Sequence, residues 1–263
     1  MQVGTFARNN EQVKNAVEFG ASFVDLRMDS NETLNFAAAR KMLSDAGIKR
    51  TLHLPSSPSL GPIDVRKDII PYVDIGREVE ADLVTFHTTL SPLFYSDENI
   101  AGFLEAIPMA GDAARESGVT LAAETLGLYS TELTLLFEAN PNLRLTMDLG
   151  HAQILATRNR SFTMMEYFFD KIAMVNVHDN QGKAMTDEVL RLKSKRDVPL
   201  EEMRKIAQKY DAHLPIGEGS IDFKSIFKEL KRHSYDGRFL MMCRDQSVFP
   251  NERKKMTELW GES

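Results

Sequence analysis

The 263-residue chain has 43% hydrophobic and 27% charged residues, a formal net charge of −6 and one cysteine, Cys243. That balance suits a soluble globular protein with ample core material, and no run approaches the ~18 apolar residues of a membrane span. The charge gives no general attraction to phosphate backbones, so nucleic acid is a disfavoured partner; a single cysteine excludes an internal disulfide.

The start "MQVGTFARNNEQVKNA" lacks a charged segment leading into a long apolar one. No secretory signal is expected, and the location expected is cytoplasmic. Eight short β-rich runs follow in order: "QVGTF", "SFVDLRM", "KRTLHL", "DLVTFH", "VTLAAE", "LRLTMD", "IAMVNVH" and "RFLMMCR". Helical patterns separate them, among them "NEQVKNAVEFG", "NFAAARKMLSDAG", "AGFLEAIPMAGDAARESG" and "DFKSIFKELKRHSYDG". Several end in glycine just before the next strand, as a helix C-cap would. Eight β/α units without a linker or composition break predict one α/β domain over 1–263, a (β/α)8 TIM barrel. A doubly wound open sheet is the alternative, and the even spacing favours closure.

The last residues of strands three to seven are His53, His87, Glu124, Asp148 and His178. In a barrel these ends converge on one mouth, where active sites are built. Parity agrees, since Thr51, Thr85, Ala122, Thr146 and Asn176 share the inward face and are mostly small and half polar. Leu52, Phe86, Met147 and Val177, one step out, suit packing under helices. Asp148 could merely cap a helix starting near Ala152. However, His151 follows it by three residues, and Asp211 and His213 stand in "DAHLPIGEG". Five of the six histidines thus gather at one predicted mouth with three carboxylates. His233, in "LKRHSYDG", suits a helix C-terminus instead. Mixed imidazoles and carboxylates bind zinc, manganese or iron(II), whereas calcium and magnesium prefer oxygen alone.

The segments "AAETLG", "MDLGHA", "NVHDNQGK", "DAHLPIGEGSIDF" and "YDGRFLMMCRD", in this order, resemble the xylose-isomerase-like TIM barrels. That superfamily includes sugar isomerases and epimerases and the AP endonucleases of family 2. The resemblance implies one to three divalent metal ions, zinc or manganese. It groups His53 and His87 with Glu124, and Glu124 with Asp148 and His178. His151, Asp211 and His213 would form a third site. Glu124 would be the catalytic base, and the partner a small sugar or sugar phosphate.

The chain departs from the family at strand eight, where Met242 stands in place of a glutamate. A thioether is no substitute for a hard carboxylate ligand. Arg244 shares the parity of Met242 and is expected to contact substrate at the mouth, together with Glu218. A second departure is the long stretch at about 181–210, helical in pattern, with "PLEEM" as a helix start and "RLKSKR" basic. It is expected as a helical insertion, either a lid or a solvated surface element. The expected function is a metal-dependent sugar or sugar phosphate isomerase or epimerase. The alternatives are a zinc phosphodiesterase of the AP endonuclease type and, because of Met242, a metabolite-binding barrel without catalysis.

Overall fold

Each β-rich run folds as a strand of one parallel sheet, and the sheet closes on itself. A computed structural model describes residues 1–28, 33–56 and 60–263. The strands are β1 (Gln2–Ala7), β2 (Phe23–Arg27), β3 (Lys49–His53), β4 (Val84–His87), β5 (Leu121–Glu124), β6 (Arg144–Asp148), β7 (Ile172–Val177) and β8 (Arg238–Met241). Neighbours in sequence are neighbours in the barrel. Pairing of β1 with β8, from Gln2 against Arg238 to Thr5 against Met241, completes it.

The helices between them are α1 (Asn10–Glu18), α2 (Phe36–Asp45), α3 (Ile70–Glu78), α4 (Asp97–Ser117), α5 (Ser130–Ala139) and α6 (Ser161–Phe168). They continue as α7 (Gly182–Lys193), α8 (Leu200–Tyr210), α9 (Phe223–Arg232) and α10 (Phe249–Glu262). No described helix is long and apolar enough to cross a membrane.

Strand parity divides the apolar residues between two cores. Outward Leu52, Phe86, Met147 and Val177 join the main layer under the helices. There Phe227 of α9 meets the rings of Phe239 and Trp260 at 6.0 and 5.8 Å. Inward Phe6, Phe23, Leu83, Ala122, Met174, Leu240 and Met242 plug the barrel itself. Gly4 makes room for that plug, since a Cβ there would lie 2.6 Å from the Phe23 ring.

The helix stops follow the glycines in part. Gly118 caps α4 in the left-handed region at φ 68. Gly237 does not cap α9: the helix ends at Arg232, and Ser234 takes the positive φ of 60.

The 181–210 stretch is a helical hairpin of α7 and α8, with Pro199 at the expected start of α8. It buries Met185, Val189, Met203, Ile206 and Ala207 against Phe94, Tyr95, Leu126 and Ile154. Arg204 Nε pins it by donating to Phe94 O at 2.8 Å. This cluster is separate from the barrel core, so it should open at a lower free energy than the strands do. Native-state hydrogen exchange should show α7 and α8 less protected than β4–β7. Met203→Ala should raise exchange in the hairpin and leave the strands unchanged.

Candidate metal centre

At the C-terminal ends of β3 to β7, every imidazole and carboxylate singled out by strand parity is drawn to one place. His53, His87 and Glu124 form one group with ligand atoms within 4.8 Å of one another; Glu124, Asp148 and His151 form a second; His151, His178, Asp211 and His213 form a third. The first group is as the sequence suggests. The others differ in membership: His151 belongs to both, and His178 lies with Asp211 and His213 as well as touching Asp148. The reason is the turn after β6. His151 N–H donates to Asp148 Oδ1 at 2.8 Å, so Asp148 satisfies the first amide of the short turn His151–Gln153, whose N-cap is Gly150. This swings the His151 ring between Glu124 Oε1, 2.9 Å away, and Asp211 Oδ2 at 3.2 Å.

Glu124 is the hub. His53 Nε2 stands 2.9 Å from its Oε2, and His87 Nε2 lies 3.3 Å from Oε1. His53 Nδ1 is 2.7 Å from the backbone oxygen of Leu54, and a carbonyl can only accept. Nδ1 therefore carries the proton, and the lone pair of Nε2 is aimed at a carboxylate oxygen. Two electron-rich atoms so close need a proton or a cation between them. His213 repeats the device. Its Nδ1 donates to Met242 O at 2.8 Å, leaving Nε2 turned to Asp211. The His213 backbone is held at φ 49, and its ring stacks on His178 with centroids 3.9 Å apart.

Five buried atoms of this set make no hydrogen bond: His87 Nε2, Asp148 Oδ2, His151 Nδ1, His178 Nδ1 and Asp211 Oδ1. Buried polar atoms are normally satisfied, so such a cluster converging on itself has the chemistry of a ligand set. The residues fit divalent metal ions of the zinc and manganese kind. The charge states agree. Burial opposes ionisation of Glu124, but His87, His151 and His53 outweigh it and hold its carboxyl well below the usual range. Burial likewise opposes charge on Asp211, and His213 and His151 win. His151 is held well above the ordinary imidazole value, since Asp148, Asp211 and Glu124 overcome its desolvation. Burial dominates at His87 and lowers it.

Backbone shape around the rings is equally constrained. A Cβ on Gly150 would fall 2.0 Å from His178, so only glycine lets that imidazole lie flat against the β6 turn. Asp179, buried beside His178, accepts from the amides of Asn180, Gly217, Gly219 and Ile221 at 2.9–3.1 Å. Its own backbone pairs in both directions with Leu214. This carboxylate is what folds "LPIGEGSI" into the return that carries Asp211 and His213. A Cβ on Gly219 would meet it at 2.2 Å.

The two expected substrate contacts are not among the residues that line the cavity at the mouth. Arg244 and Glu218 are both exposed, and Glu218 borders a separate hollow with Pro215, Asn251 and Lys255. Arg244 misses because β8 ends at Met241 and its N–H donates to His213 O at 3.0 Å, so strand parity has lapsed. Met242 does face inward. It lines a cavity of about 180 Å³ with His87, Glu124, His151, Asp211 and His213. Arg8 and Arg27 line the same cavity, and α8 walls it with Ala207 and Gln208. Arg27 was legible in principle, because it ends β2 on the parity of Asp25. His233 lies far from this chemistry, as the C-cap of α9 stacked on Phe169.

A closed eight-stranded barrel with a buried His/carboxylate mouth defines the class of protein. The sequence matches the xylose isomerase-like TIM barrel family over residues 13–259, and the chain belongs to that family. The uncharacterized protein MJ1614 of Methanocaldococcus jannaschii is 22% identical over 238 residues, spanning 86% of this chain and 83% of the relative. A D-tagatose 3-epimerase-like protein superposes with a TM-score of 0.72 at 20% identity, covering 100% of this chain and 99% of that one. The AP endonuclease, family 2, of Brucella melitensis gives 0.66 at 14% identity, with 98% of each chain covered. At such identities the solved structures show a shared fold.

Two outcomes follow from this geometry. Asp179→Ala strands four amides and should cost about 3 kcal/mol or more in urea unfolding. It should also lower metal occupancy at His178, Asp211 and His213 more than at His53 and His87. Second, His151 and His178 are raised above the ordinary 6.5. Their stabilisation is full below about 6.5 and is lost as pH rises through their folded values. In chelator the melting temperature should therefore fall as pH climbs from about 6.5. With zinc present, which takes the place of the protons, that fall should disappear.

Proposed function

We propose that this chain is a divalent-metal-dependent enzyme of a small sugar-type phosphoester, and that it works by hydrolysis rather than by proton exchange between two bases. The observation that carries this is the grip on Glu124. A carboxylate within 2.9–3.3 Å of three imidazoles is placed to hold metal ions together with them, which leaves its oxygens engaged rather than open to a substrate proton. The strand-eight position that would hold a second acid–base residue carries Met242, whose thioether moves no proton.

His53, His87 and Glu124 would hold one ion. Asp148 and His151, with Glu124, would hold another, and His178, Asp211 and His213, with His151, a third. Bound ions of this kind polarise a phosphoryl oxygen and bring the pKa of water toward neutrality. The protein's own contributions are orientation and exclusion. Leu126, Ile154 and Leu60 line the cavity with α8 and restrict water, and the second hydrogen bonds of His53 and His213 set their ring angles. A cavity of about 180 Å³ under a helical hairpin suits a compact molecule better than a duplex.

Isomerisation or epimerisation of a sugar or sugar phosphate is the second reading, favoured by the enclosed mouth and by the epimerase-like fold neighbour. In that case Asp148 or Asp211 would have to serve as the base beside Glu124.

Elemental analysis of the purified protein should give more than one zinc, manganese or iron per chain, with His178→Ala and Asp148→Ala sharply lower. A panel of sugar phosphates should include one that releases phosphate, with release abolished in Glu124→Gln. Exchange of a carbon-bound proton with D₂O, at a single ion per chain, would select the isomerase. Cleavage of an abasic-site oligonucleotide would select the phosphodiesterase. A protein that binds no metal at all would sink the enzymatic readings together.

A further inference from the structure

We infer that a cavity walled by the turn after β6 and by the starts of α7 and α9 is a second binding site, for a hydroxylated organic anion such as a sugar phosphate or a sugar acid. It shares no lining residue with the metal cavity, and it does not depend on the function proposed above.

The cavity measures about 680 Å³, against about 180 Å³ at the metal centre, and a volume of that order takes a small metabolite. Gln153, Arg158 and Phe162 come from the segment that runs from the turn into α6. Lys183 and Asp187 come from α7, and Ser225 from α9. The three segments are fastened to one another. A Cβ on Gly182 would lie 2.4 Å from Gln153 O, so glycine is what lets α7 start so close to the turn. Ser220, just before α9, donates through both N–H and Oγ to Asn180 O, at 3.0 and 3.2 Å. A pocket with fixed walls loses little on ordering around a ligand.

The wall carries positive groups that the protein does not neutralise. Arg158 lies 4.6 Å above the Phe162 ring, which holds the guanidinium flat. Neither Arg158 nor Lys183 forms an ion pair among the described residues, and Asp187, one turn beyond Lys183, is not paired with it. Asp222 is engaged already: its Oδ1 accepts from Ser225 N–H at 3.1 Å and its Oδ2 from Ser225 Oγ at 2.6 Å. The start of α7 adds to the positive side. Its N-cap residue, Gln181, makes no capping bond and sends Nε2 to Glu218 O at 3.2 Å instead. Gly182 N–H is met by Asn180 Oδ1 at 2.9 Å, and the next two amides have no acceptor among the described residues. Two cations beside such a helix start draw an anion.

The acceptors in the wall call for more than an anion. Gln153 is 7% exposed, and its Nε2 donates to Ala156 O at 2.9 Å. Its Oε1 has no donor among the described residues, which is uncommon for an amide so deeply buried. Asp187, exposed in the same wall, also only accepts. Inorganic phosphate would meet Asp187 with a like charge and offer little to Gln153. A neutral sugar would leave Arg158 and Lys183 unpaired. A ligand with hydroxyls and one anionic group answers both.

The test is calorimetric titration of the purified protein with ribose 5-phosphate and with gluconate, beside inorganic phosphate and ribose as the two halves of the ligand. The sugar anions should bind about tenfold or more tighter than either half. Arg158→Gln and Lys183→Gln, both at exposed positions, should each weaken the sugar anions about tenfold. Amide hydrogen exchange should slow at 153–158, 182–187 and 220–225 when the sugar anion is added. Tighter binding of ribose 5-phosphate assigns a phosphate site, and of gluconate a carboxylate site. Wild-type affinity in the folded Arg158→Gln/Lys183→Gln double variant would overturn the inference. So would protection confined to the surroundings of His87 and Asp211, or no binding of either sugar anion at millimolar concentration. A chain found without metal would remove the function proposed above and leave this titration unchanged.

Discussion

Glu124 is 1% exposed, and a charge that deep in a protein persists only where its surroundings balance it. Three imidazoles supply that balance, and they arrive from β3, β4 and the turn after β6. The barrel brings them together because every strand end faces the same mouth. Each histidine must then be oriented by its other nitrogen. A backbone oxygen takes that role for His53 and for His213. Asp148 spends one oxygen on the turn amide and on His178, and leaves the other facing the cluster. The arrangement stores negative and positive groups at close range in a dry place. Such a donor set calls for protons or cations between its members.

A second buried carboxylate holds the frame. Asp179 has no part in the ligand set, yet its side chain gathers three amides of the return toward β8, besides that of Asn180. The glycines in that return let the backbone wrap an anion closely, since a side chain at Gly219 would collide with it. "HDN" and "GEGSID" are therefore two halves of one structural unit. Their spacing in sequence is wide because the α7–α8 hairpin lies between them. That hairpin packs on its own apolar cluster and lends Ala207 and Gln208 to one wall of the cavity.

Strand eight ties the two themes together. Met242 sits inside the barrel, as parity requires; its sulfur meets Arg27 and its backbone oxygen accepts from His213. The cation expected at this rim is present, but it comes from β2 instead of from Arg244. A barrel mouth is a closed ring, so β8 and β2 meet beside β1 although their residues are over two hundred apart.

What the sequence by itself determined is what is local. The eight strands, their inward faces and the imidazole or carboxylate at the ends of β3 to β7 follow from period-two alternation and from the spacing of apolar runs. The helical character of 181–210 follows from its own pattern and from Pro199. The grouping of the ligands was decided by tertiary structure. His151 joins two clusters because Asp148 captures its amide, and His178 turns toward Asp211 because Gly150 lets its ring pass. Glu218 and Arg244 lie beyond the reach of strand parity. Each stands where the chain has left its strand, and long-range hydrogen bonds to Asp179 and His213 steer it there. Strand geometry repeats every two residues and can be read from one segment. The course of a loop depends on which distant atoms satisfy its amides, and only the folded chain supplies them.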